Sequence, residues 1–181
     1  MKVINTKLSG CLILEPEVHE DSRGFFMESF NSTTFLKATG IEVNFVQDNH
    51  SQSTKGVLRG LHYQKLNPQG KLVRVSRGSV FDVAVDIRSN SQTYGSWVGI
   101  ELSEFNKLQL WIPEGFAHGF ISLTDDSEIL YMVSSAYAGE SEGTLPWNDP
   151  FHEIEWPIAP SILSDKDQKA KKWDDSYSII L

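Results

Sequence analysis

Between Gly56 and Asp86 the chain reads GVLRGLHYQKLNPQGKLVRVSRGSVFDVAVD, which places Arg59, His62, Gln64 and Lys71 within thirteen positions. An imidazole, an ammonium and a guanidinium this close together offer a group for acid–base work or hydrogen bonding beside local positive charge. Histidine can take up a proton near neutrality. Local lysine and arginine can hold a phosphate or another anion. The competing reading is a solvated sheet face with scattered charges, and it suits Arg74 and Arg77. For Arg59, His62 and Lys71 together a site is the better reading. Such groups, interleaved into half-buried strands, require partners or a ligand.

The elements around these residues are strands. Lys71, Val73 and Val75 alternate with Leu72, Arg74 and Ser76, and after Gly78 the residues Phe81, Val83, Val85 and Ile87 alternate with Asp82, Ala84 and Asp86. Short strands are expected within residues 1–20. The turn Asp21-Ser22-Arg23-Gly24 then leads into a strand with Phe26, Glu28 and Phe30 on one face, where Glu28 reads as a rim charge. Asn31 or Ser32 caps a short helix closed by Gly40. Residues 43–50 read as a strand with Gln47 and Asn49 on one face, and Ser51–Lys55 as a loop. A strand pair is expected around Trp97–Leu102 and Lys107–Ile112, and another strand over Ile129–Val133. Ser164 opens a second helix, with Asp165 and Asp167 in its first turn and Lys169, Lys171 and Lys172 behind them. Many short strands with regular turns predict an all-β domain over residues 1–181, a jelly-roll sandwich or barrel with a few short helices.

Composition narrows the function. The 181 residues carry a net charge of −8, which argues against general binding of nucleic acid or acidic membrane but leaves room for an anionic small substrate held by a few local cations. One cysteine, Cys11, excludes an intrachain disulfide and a cysteine zinc cluster. The apolar run Cys11–Leu14 is too short for a signal-peptide core, and nothing approaches a membrane span, so a cytoplasmic protein is expected.

Pro113 to His118 has the spacing P-x-G-x-x-H, which resembles the second half of the cupin signature. The place where metal-binding cupins carry H-x-H reads His62-Tyr63-Gln64. His62 and His118 alone are too few ligands for a first-row metal. The expectation is a cupin-type barrel with no metal, its histidines free for proton transfer or hydrogen bonding. For His118, a hydrogen-bonded barrel histidine and a substrate contact stand level.

The segments DSRGFFMESF, QDNHS, GVLRGLHYQ, QGKLVRV, DVAVDIR, LWIPEGFAHGF, WNDP and LSDKD, in this order from about residue 20 to 167, resemble the dTDP-4-dehydrorhamnose 3,5-epimerases. The resemblance implies a jelly-roll homodimer without cofactor, acting on a nucleotide sugar and inverting two carbons beside a ketone. It implies His62 as general base with Asp167 as its partner, Tyr131 as general acid on the opposite face, and Lys71 beside the ketone oxygen. It further implies that Arg23, Glu28, Gln47, Asn49, Arg59, Lys71, His118, Glu142 and Lys166 contact the substrate. Tyr137 resembles the aromatic that stacks on thymine, and Arg23 and Glu28 are implied to act across the dimer.

Each residue also has a plainer reading. Ser164-x-x-Asp167 is a capping box. Tyr131 is a sheet aromatic, Tyr137 a strand tyrosine, and Asp82 a partner for Lys71. The five tryptophans read as core and dimer contacts. The function expected is epimerisation of dTDP-4-keto-6-deoxy-D-glucose at carbons 3 and 5 to dTDP-4-keto-L-rhamnose. The rivals are a single-carbon epimerase of a related nucleotide 4-keto sugar, a non-catalytic nucleotide-sugar-binding cupin, and a metal-dependent oxygenase, which the missing H-x-H opposes.

Overall fold

Alternation of apolar and polar residues builds two antiparallel sheets, and the apolar faces they turn toward each other form the core. In the computed structural model, which describes residues 1–173 and 177–179, the strands are β1 (Lys2–Asn5), β2 (Leu12–Glu15), β3 (Val18–Asp21), β4 (Gly24–Met27), β5 (Gln47–Ser53), β6 (Leu58–Gln64), β7 (Lys71–Arg77), β8 (Ser79–Asp86), β9 (Trp97–Ser103), β10 (Gln109–Ile112), β11 (Phe116–Ser122), β12 (Ser127–Val133) and β13 (Glu142–Thr144). One sheet runs β1-β2-β10-β7-β12-β5 and the other β13-β6-β11-β8-β9, while β3 and β4 form a separate hairpin. This is the expected all-β architecture.

Val73, Val75, Leu110, Ile112 and Ile129 from the first sheet pack against Val80, Ala84, Leu102, Phe116 and Phe120 from the second. Burying each such aliphatic side chain stabilises the fold by about 1.5–3 kcal/mol. Both outer faces are also covered. The helix α1 (Ser32–Thr39), capped by Asn31 and closed by Gly40 as the sequence predicts, lays Phe35 against Leu12, Leu14, Leu72 and Trp111. On the far side Val83, Val85 and Ile87 pack with Leu61, Leu145, Tyr177 and Ile179. Strand β8 is therefore buried on both faces, so Asp82 and Asp86 sit at 0% exposure on its inward face.

Four expectations are corrected. The strands near Trp97 and Gln109 do not pair. Asn106 bonds the backbone N–H groups of Ser103 and Leu108 and turns the chain, so that β9 joins β8 in one sheet and β10 joins β2 and β7 in the other. A period of two identifies a strand without naming its partner. The strand expected at 43–50 begins at Gln47 and runs through the predicted loop to Ser53, because β12 pairs with it residue by residue and, as a sheet edge, it tolerates polar side chains. β4 stops at Met27, short of Glu28 and Phe30. The second helix, α2 (Asp165–Gln168), ends before the lysines meant to complete it. Of the tryptophans, Trp111 is core, while Trp97, Trp156 and Trp173 are partly buried against the outer cluster.

Candidate active site

Three positions separate Arg59 from His62, which on a regular strand would aim them at opposite faces. The β6–β11 pairing shifts register between His118↔His62 and Phe120↔Arg59, an irregularity that gives β6 one extra residue. Both side chains then border one cavity. The bulge depends on close backbone contact. A Cβ on Gly60 would lie 2.6 Å from Gly119 Cα, and one on Gly119 would lie 2.6 Å from the Arg59 carbonyl oxygen.

The cavity, of about 490 Å³, opens between the two sheets, with His62, Lys71, His118, Tyr131, Phe120 and Arg59 on its walls. A second lobe of about 330 Å³ shares His62, Lys71 and Tyr131 and adds Gln47, Asn49, Tyr137 and Glu142. The imidazole, the ammonium and the phenol thus stand where two lobes meet.

His62 Nε2 lies 2.7 Å from Asp167 Oδ1, and Gly60 N donates to Asp167 Oδ2 at 3.4 Å. Of the two readings of Ser164-x-x-Asp167, only the Ser164 half of the capping box forms, and the Asp167 carboxylate itself goes to His62. Ser164 Oγ accepts from the Asp167 backbone N–H at 3.2 Å, which caps α2 and leaves the Asp167 carboxylate for His62. Burial would raise the Asp167 carboxyl, but the bonds from His62, Ser164 and Gly60 outweigh it and hold it below the usual carboxylate range.

Lys71 is 7% exposed, and burial pushes its ammonium down to about 8, against the pull of Asp82 and Glu142. Asp82 does not pair with it directly. Both Asp82 oxygens instead lie 2.9 and 3.0 Å from His118 Nε2. Burial lowers the His118 imidazolium below its ordinary range, with Asp82 opposing. Burial raises the Tyr131 phenol, so its proton is present near neutrality, and its ring lies 6.4 Å from that of His118.

In the second lobe Gln47 donates to Asn49, which reaches the Tyr131 carbonyl. At the rim Tyr137 OH donates to Glu142 at 3.1 Å, and Lys166 Nζ lies 2.8 Å from the other Glu142 oxygen. The Tyr137 ring is exposed. Burial would raise the Glu142 carboxyl, but Lys166 outweighs it and lowers it.

Two predicted site residues lie outside the cavity. Arg23 pairs with Asp21 at the exposed tip of the β3–β4 hairpin, and Glu28 accepts from Asn31. Gln64 proves to be structural, bonding Asn67, Ala136 and Ala138 and so fixing the segment that carries Tyr137. Sequence reasoning misses Ser53, which accepts from Arg59 Nε at 3.0 Å, because the polar stretch Ser51–Lys55 has the composition of a loop. It also missed Phe120, whose apolar type on a strand carries no signal beyond core packing. Among the described residues, no three His, Cys, Asp or Glu side chains converge as a metal site.

A family profile described as dTDP-4-dehydrorhamnose 3,5-epimerase matches residues 5–175. A Shigella flexneri protein of that name is 57% identical over 178 residues, 97% of this chain and 98% of that one. A Legionella pneumophila dTDP-6-deoxy-D-glucose-3,5-epimerase, solved in complex with dTDP-4-keto-L-rhamnose, is similar at 47% identity and a TM-score of 0.95, covering 99% of this chain and 98% of that one. A 3'-monoepimerase from Streptomyces bikiniensis, solved with dTDP-quinovose, is similar at 34% identity and a TM-score of 0.87, covering 95% of this chain and 87% of that one.

Proposed function

The chain belongs to the dTDP-4-dehydrorhamnose 3,5-epimerase family, and from that premise we infer that it is an isomerase converting dTDP-4-keto-6-deoxy-D-glucose to dTDP-4-keto-L-rhamnose. The observation that carries the reading is the meeting of His62–Asp167, Lys71 and Tyr131 where two lobes of one cleft join.

A proton next to a ketone is acidic enough to remove only when a base is positioned and the enolate oxygen is stabilised. His62 takes the proton from the carbon, and Asp167 orients the ring and stabilises the imidazolium. Lys71, a buried ammonium, meets the negative charge as it appears on the ketone oxygen. Tyr131 then gives its phenolic proton to the opposite face of the carbon, which inverts it. The same sequence at the second carbon completes the epimerisation, after His62 has lost its proton and Tyr131 has regained one. These steps are written with side chains of this chain alone.

Arg59 suits the diphosphate of the substrate, Tyr137 the base, and Gln47, Asn49, His118, Glu142 and Lys166 its other polar groups. Arg23 and Glu28 serve the cavity of a second copy in a homodimer, a reading favoured by their exposure away from their own cavity, Arg23 at the tip of the β3–β4 hairpin and Glu28 just after β4. No helix of the described residues is long and apolar enough to cross a membrane, and the proposed setting is the cytoplasm. Inversion of both carbons is favoured over one by the higher identity to the 3,5-epimerase than to the monoepimerase.

The test supplies the keto sugar in deuterated water and reads product stereochemistry and deuterium at each carbon by NMR. Inversion with deuterium at both carbons is expected. Inversion at one carbon alone selects the single-carbon reading, and no exchange at either selects a non-catalytic binder.

A further inference from the structure

The cleft holds a second histidine–aspartate pair that the proton transfers do not use. We propose that Asp82 is a positioning residue of this site, its buried carboxylate holding Lys71 as the ammonium and fixing His118 with its hydrogen on Nε2. The inference rests on the proposed role of Lys71.

Asp82 is 0% exposed on the inward face of β8, where its cross-strand partners are Phe120 and Ile100. Among the described residues, its only ion-pair partner within 4.0 Å is His118. A carboxylate only accepts hydrogen bonds, so with both oxygens at 2.9 and 3.0 Å the His118 Nε2 carries the hydrogen. Burial, together with the nearby Lys71 and His62, disfavours a second proton on the ring. Neutral His118 therefore offers Nδ1 as an acceptor and cannot donate to an enolate oxygen. The negative charge of Asp82 is then left to act on Lys71.

Lys71 continues the inward row of Val73 and Val75 on β7, and Asp82 sits between Val80 and Ala84 on β8, residues that pack in the same core cluster. The cross-strand neighbours of Lys71 on β10 and β12 are Ile112 and Val133, which offer no charge. Asp82 on β8 and Glu142 on β13 favour its ammonium form, while Lys166 on α2 opposes it. His62, His118, Tyr131 and Arg59 line the same cavity. Of the two acids, Glu142 is already bonded to Lys166 at 2.8 Å. Asp82 is the one not neutralised by another lysine or arginine.

The experiment compares kcat and KM against pH for the parent, Asp82→Asn and Lys71→Arg. In the parent, kcat falls as pH rises through about 8, because the ammonium that stabilises the enolate is lost. Asp82→Asn removes the charge with little change of shape. It moves that alkaline fall to lower pH by about one unit or more, with KM changing far less. Lys71→Arg, whose guanidinium keeps its proton, abolishes the fall. A fall that persists in Lys71→Arg rejects the role of Lys71 and this inference with it. A fall that vanishes in Lys71→Arg yet stays in place in Asp82→Asn rejects the inference alone. If Lys71→Arg turns over too slowly to profile, an NMR titration of the Lys71 side chain makes the same comparison between parent and Asp82→Asn, and an unchanged midpoint overturns the proposal. If Asp82→Asn does not fold, ¹⁵N NMR of His118 in the parent decides: hydrogen on Nε2 supports the proposal and hydrogen on Nδ1 rejects it.

Discussion

His62 and His118 are directly opposed across β6 and β11, and each meets a buried aspartate through Nε2, yet the two pairs differ in the exposure of the ring and in the element that carries the acid. The His62 side chain is 29% exposed and that of His118 only 7%. Asp167 reaches His62 from a four-residue helix 105 positions away in sequence, whereas Asp82 lies on a central strand adjacent to that of His118. The open pair can exchange protons with a substrate and with water. The closed pair borders the cavity only through the edge of the His118 ring, and on our proposal the Asp82 charge acts by position. On the proposed roles, identical side-chain chemistry becomes a base in one place and a fixed field in the other, through access and through the element that carries the acid.

The largest expected effect follows from that contrast. His62→Asn keeps a polar side chain but leaves no base, so both inversion and deuterium uptake should fall by about 10⁴-fold, the upper end of what a positioned base contributes. Product NMR in deuterated water measures both. If His62→Asn still exchanges deuterium at near the parent rate, the base lies elsewhere and His118 becomes the first candidate.

A smaller effect is expected on the opposite side of the substrate. Tyr131→Phe retains the ring packing and removes the proton donor. Deuterium uptake should persist in part, since His62 can remove a proton and return one to the same face. Inversion should fall by about 10²-fold or more at one carbon at least. Inversion of both carbons at the parent rate would make Tyr131 a packing residue and water the acid.

These residues also mark how far the sequence could be read. Lys71 lies on a strand where its alternation with Val73 and Val75 is plain, whereas Tyr131 sits in the unbroken apolar run Ile129–Val133, which names a strand but no face, so its role came from family resemblance. The shared face of Arg59 and His62 was not, because spacing alone aims them apart and the bulge arises from the backbone approach of Gly60 to Gly119. The link from Asp167 to His62 came from family resemblance, since no local pattern spans 105 residues. The pairing of Asp82 with His118 depends on strand order, which periodicity does not encode. Gln64 carried the right side chain for a site and was claimed by the backbone of Ala136–Ala138.

The smallest expected effect isolates how the acid is carried. Ser164 Oγ caps α2 by accepting from the Asp167 backbone N–H, and α2 has only four residues to hold that aspartate in place. Losing such a cap typically costs about 0.5–2 kcal/mol. Asp82 has no comparable dependence, because ladders to β11 and β9 hold its backbone on both sides. Ser164→Ala should therefore lower the thermal midpoint modestly and reduce kcat several-fold, roughly in proportion to the loosened cap. It should move the alkaline fall in kcat little, since Asp82 on β8 is untouched and Lys166 on α2 is the weakest of the charges that act on Lys71. Ser164 also lines the cavity, so KM separates two origins of the loss. A fall in kcat at nearly constant KM locates the effect in the His62–Asp167 pair, whereas a rise in KM alone makes Ser164 a substrate contact. A shift of the alkaline fall in Ser164→Ala would show that the two pairs are coupled, and the division between an open base and a closed field would fail.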